Sequence, residues 1–158
     1  MDNIFSKQNS LNKGLIGTLI SGLCFLFTLS VGAQTTKTAI TGTWLNQEKA
    51  AKIEIYQQGD QFFGKIVWLK EPDENGKPKT DIKNPDKARH KDPIIGLVML
   101  KNVEFDGRST WKGGTIYDSR SGKTYSCYLT LQADKSLKVR SYVGVSLFGQ
   151  STVWTRIN

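Results

Sequence analysis

The feature that most constrains this chain is period-two alternation, repeated from Ala51 to the C-terminus and broken by short turn signals. Ala51, Ile53 and Ile55 alternate with Lys52, Glu54 and Tyr56. Tyr125, Cys127, Leu129 and Leu131 alternate with Thr124, Ser126, Tyr128 and Thr130, and Leu137, Val139, Ser141 and Val143 with Lys138, Arg140 and Tyr142. Successive side chains of a strand point to opposite faces, so each run reads as a half-buried strand. Further strands are expected over Ile94–Glu104, Thr110–Asp118 and Val153–Ile157. Phe62–Leu69 is apolar on both sets, which predicts a strand covered on two sides. Helical periodicity is almost absent. Gln58-Gly59-Asp60, Asp106-Gly107, Ser119–Lys123 and Ala133–Ser136 supply turns, and connections this short make neighbouring strands antiparallel. Unless such a sheet closes it keeps two unpaired edges. The expectation is an all-β fold, a single antiparallel meander barrel of about eight to ten strands, with a β-sandwich as the alternative.

The N-terminal residues read differently. Lys7 and Lys13 precede an apolar run from Gly14 to Val31 that is shorter than the roughly 20 residues of a spanning helix. It exits through Val31-Gly32-Ala33, so residues 1–33 read as a signal peptide cleaved before Gln34, and residues 34–158 as a single β-barrel domain. Cys24 follows Leu23 where a lipidation site needs a small residue, which argues against a lipoprotein. The expected location is periplasmic or secreted, with no transmembrane span in the mature chain. Residues 34–158 are enough for a core without covalent staples. Residues 1–33 hold two lysines and one aspartate, so setting them aside lowers the formal charge from +8 to +7. That balance favours anionic envelope surroundings such as lipopolysaccharide or acidic lipid. The basic residues are scattered, which speaks against nucleic acid. Cys127 is the one cysteine left, and its apolar alternation predicts a buried, inert thiol.

One stretch interrupts the rhythm. The long polar loop at 71–93 has Ile82 and Ala88 as its only aliphatic residues. Asn75-Gly76 marks a turn. Asn84, Pro85 and Asp86 read as a helix start, with Asn84 as cap and a brief helical turn through Arg89. The segment is either a solvated insertion or a lid over a cavity.

Particular motifs now resemble a known family. They are Gly-Thr-Trp at 42–44, the run Gly64–Pro72, Asn84–Asp86, Pro93–Leu97, and above all Trp111–Asp118 with Gly122–Tyr125. Leu137–Gly144, Leu147–Gly149 and Trp154–Arg156 complete the set. Together they are similar to the domain-of-unknown-function family 2147, small exported bacterial proteins with a lipocalin-like, calycin-type barrel. Members often carry a cysteine pair where this chain has Gln58 and Phe63, so any such disulfide is lost here. The resemblance implies fold and export and leaves activity open. In lipocalin-style barrels a Gly-x-Trp tryptophan plugs one end under a basic side chain from the last strand, which assigns barrel closure to Trp44 and Arg156.

The candidate ligand-binding residues are Arg140, Tyr142, Trp68, Trp111, Tyr117 and Tyr125. Residues two apart on a strand share a face, so Arg140 and Tyr142 could converge on a carboxylate, a pair similar to the head-group clamp of fatty-acid-binding barrels. The alternation of Leu137, Val139 and Val143 opposes this by placing both outside. Trp111, Thr115 and Tyr117 share one face, and with Trp68 and Tyr125 they could line a cavity or simply pack. Gly113-Gly114 predicts a sharp bend of the sheet. His90 stands alone in a charged loop, Asp81 and Asp86 flank Asn84 as loop aspartates do, and no metal-ligand spacing, phosphate loop or nucleophile elbow occurs. Catalytic residues, metal and cofactors are therefore expected to be none. The favoured expectation is a binding protein holding a small amphipathic or lipid-like ligand in its barrel. The alternative is a cell-envelope interaction module with a packed interior and a basic docking face.

Overall fold

The structure, a computed structural model, describes residues 35–157. The expected signal peptide lies outside the described residues. Ten strands follow in order: β1 (Gly42–Leu45), β2 (Ala51–Gln58), β3 (Gln61–Leu69), β4 (Asp73–Glu74), β5 (Lys77–Pro78), β6 (Val98–Phe105), β7 (Thr110–Asp118), β8 (Lys123–Leu131), β9 (Leu137–Tyr142) and β10 (Gly149–Ile157). Eight of them form a closed antiparallel barrel in the order β1-β2-β3-β6-β7-β8-β9-β10, and β10 returns to pair with β1. β4 and β5 make a separate two-stranded hairpin whose tip is Asn75-Gly76, both at positive φ. The closed meander is the expected architecture, and the sandwich alternative falls.

One end of this barrel is sealed. Ile40 is fully buried, and three side chains hold the turn that carries it. Trp44 Nε1 donates to the Ile40 carbonyl at 2.8 Å, and Trp111 Nε1 to that of Lys37 at 3.0 Å. Arg156 donates to the Thr41 carbonyl at 2.7 Å and to that of Ala39. The Arg156 guanidinium carbon lies 4.3 Å from the Trp44 ring centroid, and the two residues face each other across the closing strand pair. Trp44 and Arg156 thus meet at the sealed end. Below this plug the core packs around Phe62, Leu100, Val103, Leu129 and Leu137.

Two of the barrel's irregularities decide which side chains of β3 and β7 reach the interior. Ile53 pairs with Ile66 but Lys52 with Trp68, so β3 carries one extra residue at Val67. An extra residue inverts the facing of everything beyond it. Trp111 pairs with Leu129 but Gly114 with Cys127, so β7 carries an extra residue around Gly113, whose φ is +80°. A Cβ on Gly114 would stand 2.2 Å from Val103 Cγ1 and 2.5 Å from the Lys101 carbonyl oxygen, so only glycine allows β6 and β7 to approach here.

Three expected boundaries differ. The Ile94–Glu104 strand starts only at Val98, because Gly96 at φ +96° turns the chain while Ile94 and Leu97 pack on Ile66. The last strand starts at Gly149 rather than Val153: Gly149–Thr152 pair with Tyr142–Val139 through backbone bonds that a polar sequence does not advertise. The 3-10 turn Lys87–Arg89 is capped by Asp86, not Asn84. Asp86 accepts from the Ala88 amide, and the Asn84 side chain accepts from the Asp86 amide one step earlier.

Candidate functional site

The end opposite the plug is open. There the β1–β2, β3–β6, β7–β8 and β9–β10 connections surround a cavity of about 710 Å³. Its inner wall is apolar: Ile53, Ile66, Met99, Ile116, Val139 and Trp154. Polar side chains gather among the residues nearer the rim, with Tyr125, Ser141, Thr152, Gln150, Asn46 and Arg120 among them. An apolar pocket with a few polar groups is the usual composition of a small-molecule site, and the volume falls inside the customary range of roughly 300–1,000 Å³.

The sequence-selected residues divide between this cavity and other places. Tyr117, Tyr125 and Tyr142 line it. Arg140 does not, and the clamp it would form with Tyr142 is corrected. Its guanidinium is spent on the β9–β10 loop, donating to Ser146 O at 2.8 Å, to Leu147 O at 3.1 Å and to Ser151 Oγ at 3.1 Å. The Tyr142 ring, besides bordering the cavity, lies 6.3 Å from that of Tyr128. Trp68 is corrected as well. The Val67 bulge turns it outward, where it is 37% exposed with Lys52 Nζ 4.9 Å from its ring, while Leu69 takes the inward place. Trp111 is buried at the sealed end, edge-on to Phe62 and tilted on Phe105, and belongs to the plug. The bulge around Gly113 also separates it from Thr115 and Tyr117, which alternation alone had put on its face.

The long connection is tied to the rim by a residue that received little weight in the sequence. Asp81 is completely buried. It accepts the Tyr117 hydroxyl at 2.7 Å and the Asn84 side-chain amide at 2.7 Å, and His90 donates its Nε2–H to the Asn84 carbonyl at 2.8 Å. Burial, then the bond to Asp81 and its negative charge, push the Tyr117 hydroxyl up to about 12. The 79–94 strap is further stitched by the Thr80–Pro93 bridge. Gly122, at φ +70°, lets the β7–β8 turn lie against the Lys83 carbonyl. So Asn84, Pro85 and Asp86 shape and cap the strap rather than contact the cavity. In the β7–β8 turn, burial raises Asp118, but bonds from Ser121 and Arg120 outweigh it and hold the carboxyl below its ordinary range. Cys127 is buried and its thiol is pushed up to about 12 by desolvation, so it stays protonated. Among the described residues no group of histidines, cysteines and carboxylates could hold a metal ion, and no helix is long and apolar enough to cross a membrane.

With the closed barrel and its open cavity described, the sequence comparison completes the assignment. The profile of a family described as "Uncharacterized protein conserved in bacteria (DUF2147)" matches residues 42–156, from the first strand to the last. The chain belongs to the DUF2147 family. No curated protein matches it significantly. Among solved structures, the DUF2147 barrel is similar to a protein whose structure is described as "Protein HP1028 from the human pathogen Helicobacter pylori belongs to the lipocalin family". That likeness has a TM-score of 0.68 at 23% identity, covering 75% of this chain and 82% of the other. At that identity it establishes a lipocalin-like fold for this DUF2147 protein.

Proposed function

We propose that this DUF2147 protein is an exported binding protein, periplasmic or secreted, whose barrel holds one small amphipathic or lipid-like molecule. The observation that carries the reading is the division of the interior. The plugged half is packed solid, whereas the open half keeps about 710 Å³ between apolar walls. A tail seated against Ile53, Ile66, Met99 and Trp154 loses its contact with water, and a polar head remains at the rim beside Gln150, Asn46 and Arg120. Burial of apolar area supplies affinity, and the rim supplies orientation. The lipocalin-like fold of the Helicobacter pylori protein is consistent with such a role.

Native mass spectrometry of gently purified protein tests this. The expected result is a chain carrying a small-molecule adduct, replaced on addition of a fluorescent long-chain amphiphile. Ser141→Trp places an indole in the cavity and should weaken probe binding about tenfold or more, as a filled apolar site does. A bare chain that never takes up the probe would sink the reading and favour an envelope module that works through its basic surface.

A further inference from the structure

Ser141 to Thr155 contains no charged side chain, in a chain of which 23% is charged. Its centre is the β9–β10 connection at the open end, where Val143, Val145, Leu147 and Phe148 are 69%, 60%, 77% and 73% exposed. Four large apolar side chains on one tip form a concentration that a water-facing loop does not need. Val143 and Phe148 also border the cavity, so the tip and the mouth are one surface.

Part of the backbone of this tip is already provided with partners. Arg140 donates to the carbonyls of Ser146 and Leu147, and the Phe148 amide donates to Val145 O at 3.1 Å. A loop entering an apolar phase must bring hydrogen-bond partners for the groups it buries, and at the Val145–Phe148 end four backbone groups have them. At the base of the tip Tyr142 and Tyr128 lie together, two amphipathic rings of the kind that settle at a lipid–water boundary. Lys49 and Arg120 on the neighbouring connections of the same end are accompanied by Glu48 and by Asp118, 3.1 Å from Arg120, so the preference for an anionic surface rests on the net formal charge, +8 for the whole chain and +7 without residues 1–33. A tip of four side chains falls far short of the roughly 800 Å² per partner of a stable protein interface, whereas a fluid layer closes around each inserted group.

We propose that the Val143–Phe148 tip inserts into the surface of an anionic lipid bilayer and seats the cavity mouth on it. The purpose of the seating rests on the cavity reading, but vesicle binding can be measured without it. The experiment is flotation of the purified protein with vesicles of phosphatidylcholine alone and of phosphatidylcholine with one quarter phosphatidylglycerol. The protein should float with the second and much less with the first. The double variant Leu147→Asp, Phe148→Asp should lose about tenfold or more of that binding with an unchanged melting temperature, since both side chains are exposed. Phe148→Trp should add a blue-shifted emission on vesicle addition. No flotation with either vesicle, or flotation that the double variant leaves intact, overturns the proposal. Equal flotation with both overturns the choice of an anionic surface. Self-association that the double variant abolishes, without vesicle binding, assigns the tip to a second copy of the chain. A protein that floats but neither carries a small molecule nor takes up the probe overturns the cavity reading alone.

Discussion

A buried carboxyl group needs hydrogen-bond donors, and Asp81 takes its donors from two side chains. Removing the Tyr117 hydroxyl by Tyr117→Phe leaves Asp81 one donor short inside the strap, at a cost of about 1–3 kcal/mol by thermal or urea unfolding. The same bond has a pH signature. The Tyr117 hydroxyl is raised in the folded protein from an ordinary value of 10.0 to about 12, so its contribution is complete below pH 10 and disappears as pH climbs through 12. An absorbance titration should therefore find one tyrosine ionising last, and Tyr117→Phe should abolish that step. None of this was legible from residue order. Asp81 sits in a polar run where aspartates ordinarily make turns, and its partner lies 36 positions away. Arg140 was ambiguous for a related reason: alternation correctly turned it outward, but the carbonyls it serves belong to a loop whose shape no local pattern specifies.

At the scale of elements, the bulges separate what sequence could give from what it could not. Strand existence follows from alternation, and β2, β8 and β9 begin and end within a residue or two of the expected runs. The facing of Trp68 and Trp111 depends on register, which one inserted residue reverses, and a bulge leaves no mark in alternation when both faces are apolar. The paired glycines did announce a bend, and they permit a controlled comparison. Gly113→Ala meets no atom within 4 Å and suffers only its φ of +80°, a cost of about 1–2 kcal/mol. Gly114→Ala drives a methyl into Val103 and the Lys101 carbonyl and should cost about 3 kcal/mol or more, since backbone cannot give way as a side-chain tip does. Chemical denaturation of the two variants should rank them in that order. The reverse order would mean that β6 and β7 are not packed as closely as described.

For the whole molecule, closure is the property that the sequence conveyed best. Eight strands in a meander, with a tryptophan in the first and an arginine in the last, are a pattern that remains visible when register is not. The cavity could not be read in advance, because hollow and packed barrels share the same alternation and differ only in how far side chains reach. Arg156→Met keeps the stem but removes the charge, the ring contact and two donors from the Thr41 and Ala39 carbonyls. It should cost about 3–5 kcal/mol in urea unfolding. Because Arg156 seals the end away from the mouth, amphiphile uptake by the fraction still folded should be unaffected.

Joining the last strand to the first also sets a timetable for folding. Every other barrel pairing links strands that follow each other along the chain or, for β3 and β6, are separated by the small hairpin and the strap, whereas β1 finds its second partner in the nine residues of β10, the last strand of the barrel. A folding chain thus keeps the edge of β1 open until β10 docks, and until then the turn around Ile40 lacks its Arg156 bonds. Truncation by even a few C-terminal residues should leave a chain with most of its hairpins and no finished vessel.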